Sequence, residues 1–307
     1  MRILVAIPHY VGPPAPGGAV YGSSQPDAAP ARAAALTRTI AGLRVHLGPV
    51  QVRVAWAGPP PPGEEPPPPG LSRVRFERAN RRALPQVLDI VVVVVDDRHA
   101  LDRVTLPAGA FTVERIGLDA LGGDPRMLGF ACRDLLGERA AGYDWIGYFE
   151  DDTVVGDPWF LRKIALLEHC SEGEAVLFPN RFEADPTGRF PKLYVDGPMP
   201  PEATARWQDV GRHSSMTMPH LAEVVTVERP TNPHAGCWFL SRRQFARWRA
   251  QSHFSARRPS FIGPLESAAT LGIMRTFRIY KPALDSASFL EAEHLNNRMW
   301  LRPRPPA

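Results

Sequence analysis

The chain has 307 residues, 44% hydrophobic and 22% charged, and its 36 basic and 32 acidic side chains leave a net charge of +4. This is an ordinary globular composition, long enough to bury a core without disulfides. No basic run with interleaved aromatics marks a nucleic-acid surface, and the longest apolar run, Ile90 to Val95, falls far short of the ~20 residues of a membrane helix.

The three cysteines, Cys132, Cys170 and Cys237, form no CxxC pair, and an odd number makes a poor disulfide framework. A reducing compartment is expected. Only five apolar residues stand between Arg2 and Pro8, too few for a signal-peptide core. A soluble, cytoplasmic protein without a transmembrane segment follows as the expectation.

In chain order, Ile3-Leu4-Val5-Ala6-Ile7 predicts a buried parallel strand ended by Pro8. A Pro/Gly-rich loop runs to about Pro30. Ala31 to Leu47 predicts a helix with Arg32, Arg38 and Arg44 at polar positions and Gly48 as its stop. Gln51 to Ala57 alternates like a strand. Residues 59–70, almost all proline around Glu64-Glu65, predict a surface loop. Leu88 to Val95 is the most β-prone stretch, with Asp96-Asp97 at its carboxyl end. Gly122-Gly123-Asp124-Pro125 predicts a turn and a helix start, Asp124 as N-cap and Pro125 at the first helical position. That helix runs to about Ala140. Asp144 to Phe149 predicts a strand, Asp157-Pro158 opens a helix to His169, and Ala175 to Phe178 predicts another strand.

The second half is less regular. Arg181 to Pro219 reads mostly as loop, Leu221 to Glu228 and His234 to Leu240 as strands, and Ser241 to Gln251 as a helix. Leu265 to Gly272 reads as a short helix, Met274 to Lys281 as a strand, and the tail from Leu301 as Pro-rich. The alternation in the first half predicts a mostly parallel α/β sheet with helices on both faces. No linker divides the chain.

Glu150-Asp151-Asp152 stands at the carboxyl end of the Asp144–Phe149 strand, where ligands collect in α/β sheets. Three adjacent carboxylates repel one another. A hard divalent cation, Mn²⁺ or Mg²⁺, relieves that repulsion and also bridges phosphates. A solvated acidic turn accounts for the same residues on composition alone. The strand Trp145-Ile146-Gly147-Tyr148-Phe149 favours the metal reading, because it plants the acids at a sheet edge.

Here the chain resembles the GT-A-fold glycosyltransferases. The resemblance lies in the strand-aromatic-Glu-Asp-Asp pattern, which is similar to their DxD-type motif, in the helix before it, and in Asp-Pro-x-Phe after it. The opening Arg2-Ile3-Leu4-Val5-Ala6-Ile7-Pro8 is similar to their first strand. The resemblance covers about the first 180 residues well and the rest loosely. It implies a GT-A-like single domain over residues 1–307, with a nucleotide-sugar-binding half (about 1–180) and an acceptor-binding half (about 181–307). It implies transfer of a sugar from a nucleotide-diphosphate sugar to a hydroxyl of a saccharide or lipid-linked acceptor. Asp152 would be the main metal ligand, Asp151 or Glu150 would contact metal or ribose, and Pro8 would lie where the nucleotide binds.

Further constellations extend this reading. Phe261-Ile262-Gly263-Pro264-Leu265-Glu266 delivers one carboxylate at a helix start. In inverting GT-A enzymes the catalytic base is placed this way, so Glu266 is the candidate base and inversion the expected outcome. An acid favoured by the helix dipole explains it equally. Glu291-Ala292-Glu293-His294-Leu295-Asn296-Asn297 offers His294 as the late metal ligand of such enzymes, or as an ordinary surface histidine. Pro233-His234-Ala235-Gly236-Cys237-Trp238-Phe239-Leu240 resembles their acceptor-side segment. His234 and Gly236 are its candidate acceptor residues, Trp238 and Phe239 its core. Arg126 and Arg32 are candidates for a nucleotide phosphate or base, or surface arginines.

Asp96-Asp97 is a rival acidic site, but it comes early for the GT-A order and lacks the preceding helix. No GxxxxGK[ST], GxGxxG after a strand, GxSxG or HExxH occurs. Two alternatives use the same acids: a metal-dependent nucleotidyltransferase or phosphohydrolase, and a non-catalytic Ca²⁺- or sugar-binding protein.

Overall fold

The computed structural model of the chain describes residues 1–14, 22–56, 74–80, 85–185 and 188–295. The proline stretch 59–70, Asn296-Asn297 and the tail from Leu301 lie outside the described residues.

The first half builds β1 (Arg2–His9), α1 (Ala28–Leu47), β2 (Val52–Trp56), β3 (Val74–Arg78), β4 (Val87–Val95), β5 (Thr112–Ile116), α2 (Leu128–Arg139) and β6 (Trp145–Phe149). It continues with β7 (Thr153–Val154), α3 (Phe160–Cys170) and β8 (Ala175–Leu177). The central sheet has the order β13-β6-β1-β4-β5, with β13 the later strand Cys237–Ser241. Strands β6, β1, β4 and β5 are mutually parallel, and β13 closes the edge antiparallel to β6.

Strand period explains the layering. Ile3, Val5 and Ile7 of β1, with Ile90, Val92 and Val94 of β4, pack on one face against Leu36, Ile40 and Leu43 of α1 and Ile164 and Leu167 of α3. Leu4 and Ala6, with Val91, Val93 and Val95, pack on the other face against Leu128, Cys132 and Leu136 of α2. Each buried aliphatic side chain contributes about 1.5–3 kcal/mol. The α/β layering with helices on both faces is thus as expected, although the sheets taken together are mixed rather than mostly parallel.

The second half departs most from expectation. The span read as loop after Arg181 contains β9 (Asn180–Ala184), β10 (Lys192–Tyr194) and β11 (Ser215–His220). Then follow β12 (Glu223–Glu228), β13 (Cys237–Ser241), α4 (Arg242–Arg249) and α5 (Pro264–Glu266). Helix α5 passes through a π-helical turn (Ser267–Leu271) into α6 (Gly272–Met274), so Met274 ends a helix instead of opening a strand. Strands β14 (Arg278–Pro282) and β15 (Glu291–His294) complete the fold. Two four-stranded sheets result, β10-β9-β15-β7 and β11-β12-β14-β8. The β9–β15 pairing is parallel and brings His294 beside the strand that carries Arg181 and Glu183. Both β9 and β10 are polar and only half-buried, so they lack the apolar signal that marks β1 and β4.

Smaller shifts have local causes. Helix α1 starts at Ala28 rather than Ala31. Asp124 does cap as expected: its carboxylate accepts from the Arg126 amide, but over a 3₁₀ turn (Pro125–Met127) that leads into α2. Cys132, Cys170 and Cys237 are free thiols. Among the described residues no helix is long and apolar enough to cross a membrane.

Candidate active site

At the carboxyl ends of β1 and β6 a cavity of about 240 Å³ opens. Its wall includes Pro8, Arg32, Arg126, Glu150, Asp151, Asp152, His234, Glu266 and His294. Nine of the ten residues assigned from sequence to the favoured site therefore meet at one place. The tenth, Gly236, sits behind Glu150. Its φ is +64°, and a Cβ there would come within 2.7 Å of Glu150 Oε2 and 3.1 Å of Thr153 Oγ1. Glycine is required so that the Glu150 carboxylate can lie against the backbone.

The acidic triplet divides into three environments. Asp151 is buried and points toward β1, where its Oδ2 accepts from His9 Nδ1 at 2.5 Å. His9 Nε2 in turn accepts the Ala100 amide at 3.2 Å, which fixes a neutral imidazole. Burial, then the charge of Arg32, lowers the His9 pKa to about 3. Arg32 of α1 bridges the two aspartates, pairing with Asp151 through Nη2 and with Asp152 Oδ2 through Nη1 at 2.8 Å. Burial alone would raise Asp152, but Arg32, His294 and Arg181 outweigh it and hold the carboxyl well below its ordinary range. Glu150 has only a looser pair, with Arg181 Nη1 at 3.6 Å from its Oε2. Burial, and then the charges of Asp152 and Glu266, raise it to about 7 against the opposing pull of Arg181.

His294 enters from β15. Its Nδ1 donates to Glu183 Oε1 at 2.9 Å, and its Nε2 faces Asp152 Oδ2 at 3.8 Å. Glu183 is fully buried, and its Oε2 has no partner among the described residues. A buried carboxylate that holds one nitrogen of a histidine and aims the other is the usual outer shell of a metal-ligating imidazole. Two donors each about 2.1 Å from one Mg²⁺ can stand up to about 4.2 Å apart, so the 3.8 Å separation lies within reach of a shared ion. Among the described residues no group of three or more His, Cys, Asp and Glu side chains is close enough to hold a metal alone. An ion held by these two side chains would have to take its other ligands from water and a bound phosphate.

Glu266 stands on α5, delivered by the Gly263-Pro264 turn. Ile262, just before it, is β-branched with φ +56°, a strained conformation that costs of order 1–3 kcal/mol. The Ser267 hydroxyl pins the turn by bonding to both the amide and the carbonyl of Phe261, each at 2.9 Å. Burial raises the Glu266 pKa, and its Oε2 is buried without a partner among the described residues. A partly desolvated carboxylate on a cavity wall, with its pKa raised, is suited to taking a proton from an incoming hydroxyl.

From Arg181 on the wall a charge network that sequence reading missed runs back into the protein. Arg181 Nε and Nη2 donate to Asp196 Oδ1 at 2.9 and 2.7 Å, and Lys281 Nζ donates to Asp196 Oδ2 at 2.8 Å. Lys281 also donates to the His234 carbonyl. Burial lowers the His234 pKa well below its usual value, aided by Arg181. Arg126 lines the cavity while its guanidinium forks onto Asp124.

The rival pair lies elsewhere. Asp96 accepts from the Leu118 amide, the Asp97 side chain is 99% exposed, and neither lines the cavity.

No protein-family model matches the chain, and a search of curated proteins finds no match.

Proposed function

We propose that the chain is a metal-dependent glycosyltransferase that moves a sugar from a nucleotide-diphosphate sugar to an acceptor hydroxyl. The observation that carries this reading is the pairing of Asp152 with His294, whose second nitrogen is held by buried Glu183. The four parallel central strands with an antiparallel edge and helices on both faces are the layout expected of a GT-A-like fold, which is part of the same proposal.

Asp152 and His294 would hold Mn²⁺ or Mg²⁺, which when bound neutralises the donor's diphosphate as it departs. His9 and Thr39 fix Asp151, and Asp151 fixes Arg32, so the cationic edge of α1 is preset for a nucleotide phosphate. The Glu266 carboxylate takes the proton of the acceptor hydroxyl. A base acting on the acceptor in one displacement inverts the anomeric centre. The acceptor is a saccharide or a lipid-linked hydroxyl, and the three free thiols support a cytoplasmic setting.

A thermal-shift screen of UDP and GDP with and without Mn²⁺ tests the reading. Stabilisation should require the metal and vanish in Asp152→Ala. Turnover of the nucleotide without an acceptor would instead indicate a phosphohydrolase. A shift with Ca²⁺ alone, indifferent to nucleotide, would indicate a binding protein. No shift with either nucleotide in Mn²⁺ would overturn the proposal.

A further inference from the structure

Glu150 is the one member of the acidic triplet that neither Arg32 nor His294 engages. Its two carboxylate oxygens accept no side-chain hydrogen bond among the described residues. Each is nevertheless flanked by a nitrogen just beyond bonding distance: Arg181 Nη1 is 3.6 Å from Oε2, and His234 Nε2 is 3.6 Å from Oε1. All three side chains line the cavity.

Each flanking group is fixed from behind. The guanidinium of Arg181 is held through Nε and Nη2 by Asp196, which leaves Nη1 toward Glu150. His234 Nδ1 lies 3.3 Å from the Thr270 hydroxyl, which can donate to it and leave Nε2 carrying the proton that faces Glu150. The Glu150 carboxylate rests in the notch left by the missing side chain of Gly236. With Glu150 ionised, the result is a row of donor, acceptor, acceptor, donor, open on the cavity side.

A hydroxyl group is both a donor and an acceptor. One hydroxyl inserted beside Oε2 donates to Glu150 and accepts from Arg181, and a second beside Oε1 donates to Glu150 and accepts from His234. A phosphate or carboxylate would satisfy the two nitrogens but face the Glu150 oxygens with like charge. A single amine would satisfy Glu150 and oppose Arg181.

From this arrangement we infer that Glu150, Arg181 and His234 form a hydroxyl-reading clamp for two neighbouring hydroxyls of the transferred sugar. The substrate class is then a nucleotide-linked neutral pyranose with a free vicinal diol. The inference rests on the glycosyltransferase reading. It differs from the sequence expectation in giving Glu150 to the sugar instead of to metal or ribose, and His234 to the donor instead of the acceptor.

Calorimetric binding in Mn²⁺ separates the possibilities. The probes are UDP, GDP, UDP-glucose, UDP-galactose and GDP-mannose, followed by the 2-, 3- and 4-deoxy forms of the best-bound sugar nucleotide. Native protein, Glu150→Gln and Arg181→Lys are compared, with circular dichroism and melting to show that each variant folds. Charged hydrogen bonds of this kind are worth about 10-fold or more in affinity. Glu150→Gln should therefore weaken the sugar nucleotide about 10-fold, leave the free nucleoside diphosphate within about 2-fold, and cost little against the deoxy analogue that lacks a clamped hydroxyl. Arg181→Lys should show the same pattern. Equal weakening of sugar nucleotide and free diphosphate would overturn the clamp while sparing the glycosyltransferase reading. So would a Glu150→Gln loss that is identical for the parent sugar and every deoxy analogue. Failure of the native protein to bind any of the nucleotides would overturn both.

Discussion

Replacing Asp196 by alanine should be among the most damaging changes in the protein, although the residue touches no predicted ligand. Its carboxylate is 5% exposed and serves two cations, Arg181 (14% exposed) and Lys281 (4% exposed). Removing one partner of a buried pair leaves uncompensated charge and typically costs about 3–5 kcal/mol. Lys281 limits that cost, because burial already lowers its pKa and without Asp196 it can shed its proton. Arg181 cannot shed its proton and keeps only the looser contact with Glu150 at 3.6 Å. A loss near the lower end, about 3 kcal/mol, is expected at pH 7. Unfolding entropy of about 2.1 cal/mol/K per residue over this chain makes that a fall in melting temperature of about 5 °C. The sign with pH follows from linkage. A lysine with a depressed folded pKa is stabilised as pH rises from that value toward its unfolded one, and the variant deepens the depression. Destabilisation by Asp196→Ala should therefore be smaller at pH 9 than at pH 7. Urea melts of native and variant protein at both pH values decide the matter. A loss below about 1 kcal/mol at pH 7, or one that grows with pH, would mean that Asp196 does not hold these two cations in the folded protein.

Further outcomes follow from the site. Glu266→Gln should lower transfer about 10²–10⁴-fold while leaving donor affinity intact, as initial rates and calorimetry would show. Because burial raises the Glu266 pKa, the native rate should climb with pH through a value above the ordinary carboxylate range, and the variant should lack that limb. His9, with its folded pKa near 3 against an ordinary 6.5, binds its proton more weakly folded than unfolded. Native stability should fall as pH drops below about 6.5 toward 3, and His9→Gln should flatten that slope in denaturation curves. Asp97→Asn should change stability by less than about 0.5 kcal/mol and leave nucleotide binding untouched, because its side chain is fully exposed away from the cavity.

What could be read from sequence was whatever is local. β1, α1, β4 and β6 announce themselves by apolar runs and periodicity, and the acids after Phe149 are placed by the strand that precedes them. What could not be read depends on contacts between distant segments. His9 ends an apolar strand, a visible anomaly, but its partner Asp151 follows the neighbouring strand β6, far away in sequence. Glu183 sits in a half-buried polar strand, and only the parallel pairing of β9 with β15 turns it into the support of His294. Arg181, Asp196 and Lys281 have unremarkable neighbours in sequence and acquire meaning only as one buried network. The edge strand β5 was missed because its side chains are mostly polar and half-exposed.

On the proposed function, Asp152 and His294 converge on one divalent ion. Electron paramagnetic resonance of Mn²⁺ titrated into the protein with UDP or GDP present tests it most directly. Native protein should bind Mn²⁺, Asp152→Ala and His294→Ala should each abolish the bound signal, and Glu183→Gln should weaken binding by about 10–100-fold. Unchanged Mn²⁺ affinity in His294→Ala would contradict the account.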